Sequence, residues 1–114
     1  MTRRSAFSIV IVAPLVMLAP AARGARAATE IALTIEQNRF QPDEIKVKAG
    51  VPFVLVITNN GKGAEEFESK ELRIEKVIPA GKTVKLKVPA LKSGTYGFAG
   101  EYHEKTAKGR IVAE

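Results

Sequence analysis

Two short stretches of this 114-residue chain hold the side chains best suited to chemistry. Glu65, Glu66 and Glu68 fall in Ala-Glu-Glu-Phe-Glu-Ser at residues 64–69, and Glu101, His103 and Glu104 in Glu-Tyr-His-Glu at residues 101–104. Side chains alternate along an extended segment at roughly 3.3 Å per residue, so Glu66 and Glu68 share a face about 6.6 Å apart. Glu101 and His103 are also two apart and share a face if their loop is extended. Carboxylates with one imidazole form a hard to borderline donor set, suited to ferrous or ferric iron, Mn²⁺ or Cu²⁺ and poorly matched to Cu⁺. The candidate metal ligands are therefore Glu66, Glu68, Glu101 and His103, with iron or Cu²⁺ as the ion. Plainer roles exist for the same residues. A lone histidine is often a surface or packing residue. Glu65, Glu66 and Glu68 would also serve as charges that protect a strand edge. Glu71 and Glu75, beside Lys70, Arg73 and Lys76, read as surface ion-pair partners.

Other chemistries are excluded or unsupported. The chain has no cysteine, which removes disulfides, thiolate metal sites and thiol nucleophiles. No serine forms a recognisable nucleophile–base pair, and the glycines fall at turns rather than in a phosphate-binding loop. No catalytic residue is assigned, and the chain is at most an accessory to ferrous-iron oxidation.

The elements that must position these groups read as strands. Ile31, Leu33 and Ile35 alternate with Ala32, Thr34 and Glu36; Ile45 and Val47 with Lys46 and Lys48; Val84, Leu86 and Val88 with Lys85 and Lys87. Phe-Val-Leu-Val-Ile at residues 53–57 is continuously apolar, the pattern of a central strand covered on both faces. Residues 73–78, Tyr96 with Phe98, and Ile111 complete the set. Ala49-Gly50, Asn59-Asn60-Gly61, Pro79-Ala80-Gly81 and Ser93-Gly94 supply turns at short intervals. About seven short strands without room for crossover helices predict an all-β, antiparallel Greek-key β-sandwich.

The first residues belong to something else. Thr2-Arg3-Arg4 is a positive n-region, residues 6–19 are largely apolar, and Ala25-Arg26-Ala27 is a small-x-small cleavage pattern. Residues 1–27 are read as a secretory signal peptide and residues 28–114 as one domain, which predicts a periplasmic location. The apolar run falls short of the roughly 20 residues of a spanning helix. Loss of Arg3, Arg4, Arg23 and Arg26 takes the net charge from +6 to +2. The precursor's basicity is thus a targeting property, and nucleic acid is not an expected partner.

The region from residue 94 to 112 resembles the last hairpin of a cupredoxin, where Tyr-x-Phe-x-Cys is followed by a histidine, then Met-x-Gly and a β-branched strand. Tyr96, Phe98, His103, Gly109 and Ile111 match, while Gly100 takes the cysteine slot and Ala107 that of the axial methionine. Phe-Gln-Pro-Asp-Glu-Ile-Lys-Val-Lys-Ala-Gly at residues 40–50 is similar to the cupredoxin opening. The acidic stretch at residues 64–69 is similar to the EfeO-type cupredoxin-like domains of bacterial iron-uptake systems. That resemblance implies a role in ferrous-iron uptake, with a membrane iron permease or oxidase as partner; a docking module without metal and a type-2-like copper carrier are the alternative readings. It also implies that the acidic stretch and the histidine loop meet at one pole of the sandwich. Within that subgroup Phe40, Phe98 and Gly100 stand where metal-binding cysteines and a methionine are expected, and only Glu66 carries over. A blue-copper electron-transfer site is excluded by the missing thiolate and soft axial ligand.

Overall fold

The computed structural model describes residues 8–14 and 28–114. Most of the segment read as a signal peptide lies outside the described residues. Among them, no helix is long and apolar enough to cross a membrane.

Among the described residues, nine strands form two sheets. They are β1 (Thr29–Glu36), β2 (Arg39–Gln41), β3 (Glu44–Val47), β4 (Phe53–Asn59), β5 (Glu65–Ser69), β6 (Ile74–Ile78), β7 (Thr83–Val88), β8 (Gly94–Gly100) and β9 (Lys108–Ala113). One sheet has the order β2-β1-β4-β7 and the other β3-β9-β8-β5-β6. The predicted all-β sandwich is therefore present. It exceeds the expected strand count by β2, whose three residues are too short to give a period, and by β5, whose three glutamates mask its alternation. Antiparallel pairing is also not universal. β1 lies parallel to β4 and β3 parallel to β9, since each pair is joined by a segment that crosses between the sheets.

The alternation read from the sequence sets which side chains enter the core. Leu33 and Ile35 of β1, Phe53, Leu55 and Ile57 of β4, and Phe98 with Ile111 from β8 and β9 are all buried. The apolar run of β4 is a departure from expectation. Its alternate residues Val54 and Val56 remain half-exposed on the outer face, because a two-layer sandwich covers each sheet on one side only. Near one end of the core, Phe40, Phe67 and Phe98 pack as an aromatic trio with ring centroids 5.1–5.9 Å apart. Phe40 stands edge-to-face to both Phe67 and Phe98, and such contacts add about 0.5–1.5 kcal/mol per pair beyond area burial. Phe67 belongs to the acidic strand β5, and Phe98 to β8, which runs into the histidine loop.

Candidate metal centre

Strand phase decides the fate of each glutamate. Phe67 is wholly buried at the centre of β5, so by two-residue periodicity Glu65 and Ser69 also point inward, while Glu66 and Glu68 point outward. The loop that delivers Glu65 is built by Asn59, itself fully buried. Its amide donates to the carbonyls of Gly63 and Ile78, both at 2.9 Å, and its oxygen accepts from Gly61 N–H at 2.9 Å.

β5 pairs with β8 only through Phe67↔Gly100 and Glu68↔Ala99, so Glu65 lies beyond the end of β8. There the chain enters a 3₁₀ turn at Glu101–His103. The Glu65 side chain is only 3% exposed. One carboxylate oxygen accepts from the N–H groups of Glu66 and Tyr102, each at 3.0 Å. The other accepts from His103 Nδ1 at 2.5 Å. Burying a carboxylate is unfavourable unless it is paired and hydrogen-bonded, and here both conditions hold. The loop is closed behind it by Gly100 N–H to the Ala107 carbonyl and Ala107 N–H to the His103 carbonyl, both 2.8 Å. A cavity of about 150 Å³ adjoins Glu65 and His103, walled by Ile35, Asn38, Asn59 and residues 61–64.

Gly100 is fixed by this packing. A Cβ there would lie 2.7 Å from both Ala107 Cβ and Glu65 Cδ, and 2.9 Å from Glu65 Oε1. The slot matched to a cysteine thus has no room for one while Glu65 keeps its place.

A second constellation occupies the outer face of the same sheet. Carboxylate oxygens of Glu66, Glu75 and Glu101 come within 4.8 Å of one another. Cross-strand register brings them together, since Glu68 faces Glu75 and Glu66 faces Val77. The Glu66 carboxylate beside Glu101 raises the Glu101 pKa above the ordinary carboxylate value, with smaller contributions from desolvation and Glu104 and an opposing one from Glu68. Desolvation, then the Glu66 charge, likewise raises Tyr102.

The four expected ligands are therefore divided. Glu66 and Glu101 meet on the outer face, joined by Glu75, with Glu68 next to Glu101. His103 instead turns to Glu65 at the pole, so an imidazole and three carboxylates do not aim at one point. In the sequence Glu65 reads as an edge charge, although its spacing of two from Phe67 signals an inward position. From the sequence, Glu75 reads as an ion-pair partner of Lys76 or Arg73. Among the described residues the ion pairs are Lys85–Glu30, His103–Glu65 and Arg110–Glu44. Glu71 accepts from Gly97 N–H at 2.5 Å rather than pairing with Lys70 or Arg73.

The family model for the Cupredoxin-like domain matches residues 7–113. The chain belongs to this family. Over 83 residues this cupredoxin is 32% identical to an uncharacterized protein of Rickettsia prowazekii (strain Madrid E), a match covering 73% of the chain and 66% of that relative, just under two thirds. Among solved structures it is similar to auracyanin A, a blue copper protein of Chloroflexus aurantiacus. The TM-score is 0.66 at 15% identity, over 77% of this chain and all of auracyanin. It is also similar to the metal binding domain of the Cu(I) exporting P-type ATPase CopA of Streptococcus pneumoniae D39. There the TM-score is 0.63 at 17% identity, over 75% of this chain and 84% of that domain. At these identities the likeness establishes the fold.

A blue-copper ion does not fit the residues present. Gly100 and Ala107 hold the slots of the thiolate and thioether, both methionines (Met1 and Met17) lie outside residues 28–114, and the Glu65 carboxylate fills the space between Gly100 and His103. Hard oxygen donors are what this cupredoxin offers instead.

Proposed function

We propose that this cupredoxin is exported to the periplasm and binds a metal ion as cargo for a ferrous-iron uptake system, delivering it to a membrane permease or assisting a partner oxidase. The ion is iron, with Cu²⁺ the alternative, and Glu66, Glu75 and Glu101 hold it with Glu68 at the rim. One observation carries this reading: three carboxylates whose oxygens lie within 4.8 Å, close enough to share a single ion. Like charges at that spacing repel, as the raised pKa of Glu101 records, and a bound cation reverses the sign of the interaction. All-oxygen ligation suits hard cations and favours ferric over ferrous iron, which would assist oxidation wherever a partner accepts the electron. Exposure of Glu75 and Glu101 suits a site that must load and release its ion. The resemblance of the acidic stretch to EfeO-type domains points to iron rather than to another hard metal.

Calorimetric titration of the protein with Fe³⁺, Cu²⁺ and Mn²⁺ tests the site. Glu66→Gln and Glu101→Gln are each expected to weaken binding about tenfold or more, as loss of one ligand or its supporting group does elsewhere. Unchanged affinity in both would remove the site.

A second reading has its own support. Tyr102 and Val77 are 51% and 43% exposed beside these carboxylates, an arrangement suited to a docking face for the permease or oxidase without any metal. It predicts that the protein does not bind these ions, and that Tyr102→Ala weakens partner association.

A further inference from the structure

The polar pole of the sandwich and the outer carboxylates are separate constructions, and the pole has a role of its own. We propose that the Glu65 carboxylate stands in for a metal ion there: it joins β5 to the loop between β8 and β9 through two hydrogen bonds, with a third to Glu66 N–H within β5, and it keeps that pole metal-free.

Three independent observations carry this. The first is saturation. The carboxylate accepts from Glu66 N–H, Tyr102 N–H and His103 Nδ1, and no buried side-chain polar atom among the described residues lacks a partner. An ion entering between Glu65 and His103 would have to displace the shortest of these bonds, and only two side-chain donors would greet it. The second is volume. Gly100 and Ala107 close on the carboxylate so tightly that one added methyl at residue 100 would overlap both neighbours. That leaves no space for an ion on the Gly100 side of the carboxylate. The third is charge. The exposed Lys62 is among the residues that line the cavity beside Glu65 and His103, so a cation bound there would meet a like charge nearby.

The loop geometry explains why something must occupy this position. β5 and β8 are paired at only two positions, Phe67↔Gly100 and Glu68↔Ala99. Beyond Gly100 the chain leaves the sheet, and the Tyr102 N–H and the His103 ring would otherwise face the end of the core unpaired. A metal bound by side chains from both segments would cross-link them. Glu65 does the same with hydrogen bonds, because its two oxygens reach one backbone group on each side and the imidazole.

The inference stands apart from the iron reading, and one experiment separates their failures. Chemical denaturation and metal titration of the full chain would be run on the wild type, Glu65→Gln and His103→Ala. Each variant is expected to raise the unfolding equilibrium constant about tenfold to a hundredfold, the effect of leaving a buried partner unsatisfied. Each is expected to leave Cu²⁺ and Fe³⁺ affinity within about twofold of wild type. Two results would overturn the proposal. One is a tenfold loss of metal affinity in a folded Glu65→Gln or His103→Ala variant, which would put the ion at the pole. The other is unchanged stability in both variants. If Glu65→Gln does not fold, that is the extreme of the expected loss, and His103→Ala, at a half-exposed ring, decides the affinity question. If the wild type binds neither ion, the iron reading fails while the stability comparison still decides this one.

Discussion

Replacing Gly100 by alanine adds one methyl group at the tightest point of the molecule. The new Cβ would sit 2.7 Å from Ala107 Cβ and from Glu65 Cδ, and 2.9 Å from Glu65 Oε1. Carbon atoms in ordinary contact stand about 3.5–4.0 Å apart, so both neighbours must withdraw by nearly an ångström. Neither can do so freely. Ala107 is fully buried and bonded through its N–H and carbonyl to His103 and Gly100, while Glu65 is held by three hydrogen bonds. Overpacking a filled core costs about 1–3 kcal/mol. Stretching one or two of the Glu65 hydrogen bonds adds about 1 kcal/mol each. A total of about 2–4 kcal/mol lowers the melting temperature of a domain this size by roughly 10–25 °C. Circular dichroism melts would measure it, with Gly63→Ala as control because no atom lies within 4 Å of a Cβ there. The control should stay within about 0.5 kcal/mol of wild type. If Gly100→Ala melts within about 2 °C of wild type, the carboxylate is not the tight filling described here and the packing argument falls.

Asn59→Leu removes three side-chain hydrogen bonds and strands the Gly63 and Ile78 carbonyls and the Gly61 N–H; denaturant unfolding should show a loss of about 2–4 kcal/mol, with the 60–64 loop losing amide-exchange protection first. The pH dependence of Glu101 has a definite sign. Its folded pKa lies above the ordinary value of 4.5, so the native state binds more protons, and this group's favourable contribution is present at lower pH and lost as pH rises through the folded pKa. Denaturant midpoints measured from pH 4.5 upward should therefore fall less with pH in Glu101→Gln than in wild type, and an identical profile would contradict the shift. Glu44 acts oppositely: the hydrogen bond and charge of Arg110 hold its pKa below the ordinary value, so its contribution is lost only under more acidic conditions.

Much of the architecture was legible because strand phase is a local property. The inward positions of Leu33 and Ile35, of Ile45 and Val47, and of Val84, Leu86 and Val88 follow from alternation alone. The same rule places Glu65 with Phe67, but three glutamates within four residues conceal it, since composition there suggests only a charged edge. The parallel pairs β1–β4 and β3–β9 carry no local signal, because antiparallel and parallel neighbours present the same alternation.

The sequence by itself determined an all-β domain, the absence of thiolate ligation and the residue types available for a centre. Only the tertiary structure decided which of them meet. His103 finds Glu65 because β5 outruns its pairing with β8 and the chain then turns through Glu101–His103. Glu75 joins Glu66 and Glu101 because β6 pairs with β5 in one particular register. Both juxtapositions join residues 9 to 38 positions apart. Contacts at such separations depend on how strands align across a sheet, and neighbours along the chain do not encode that alignment.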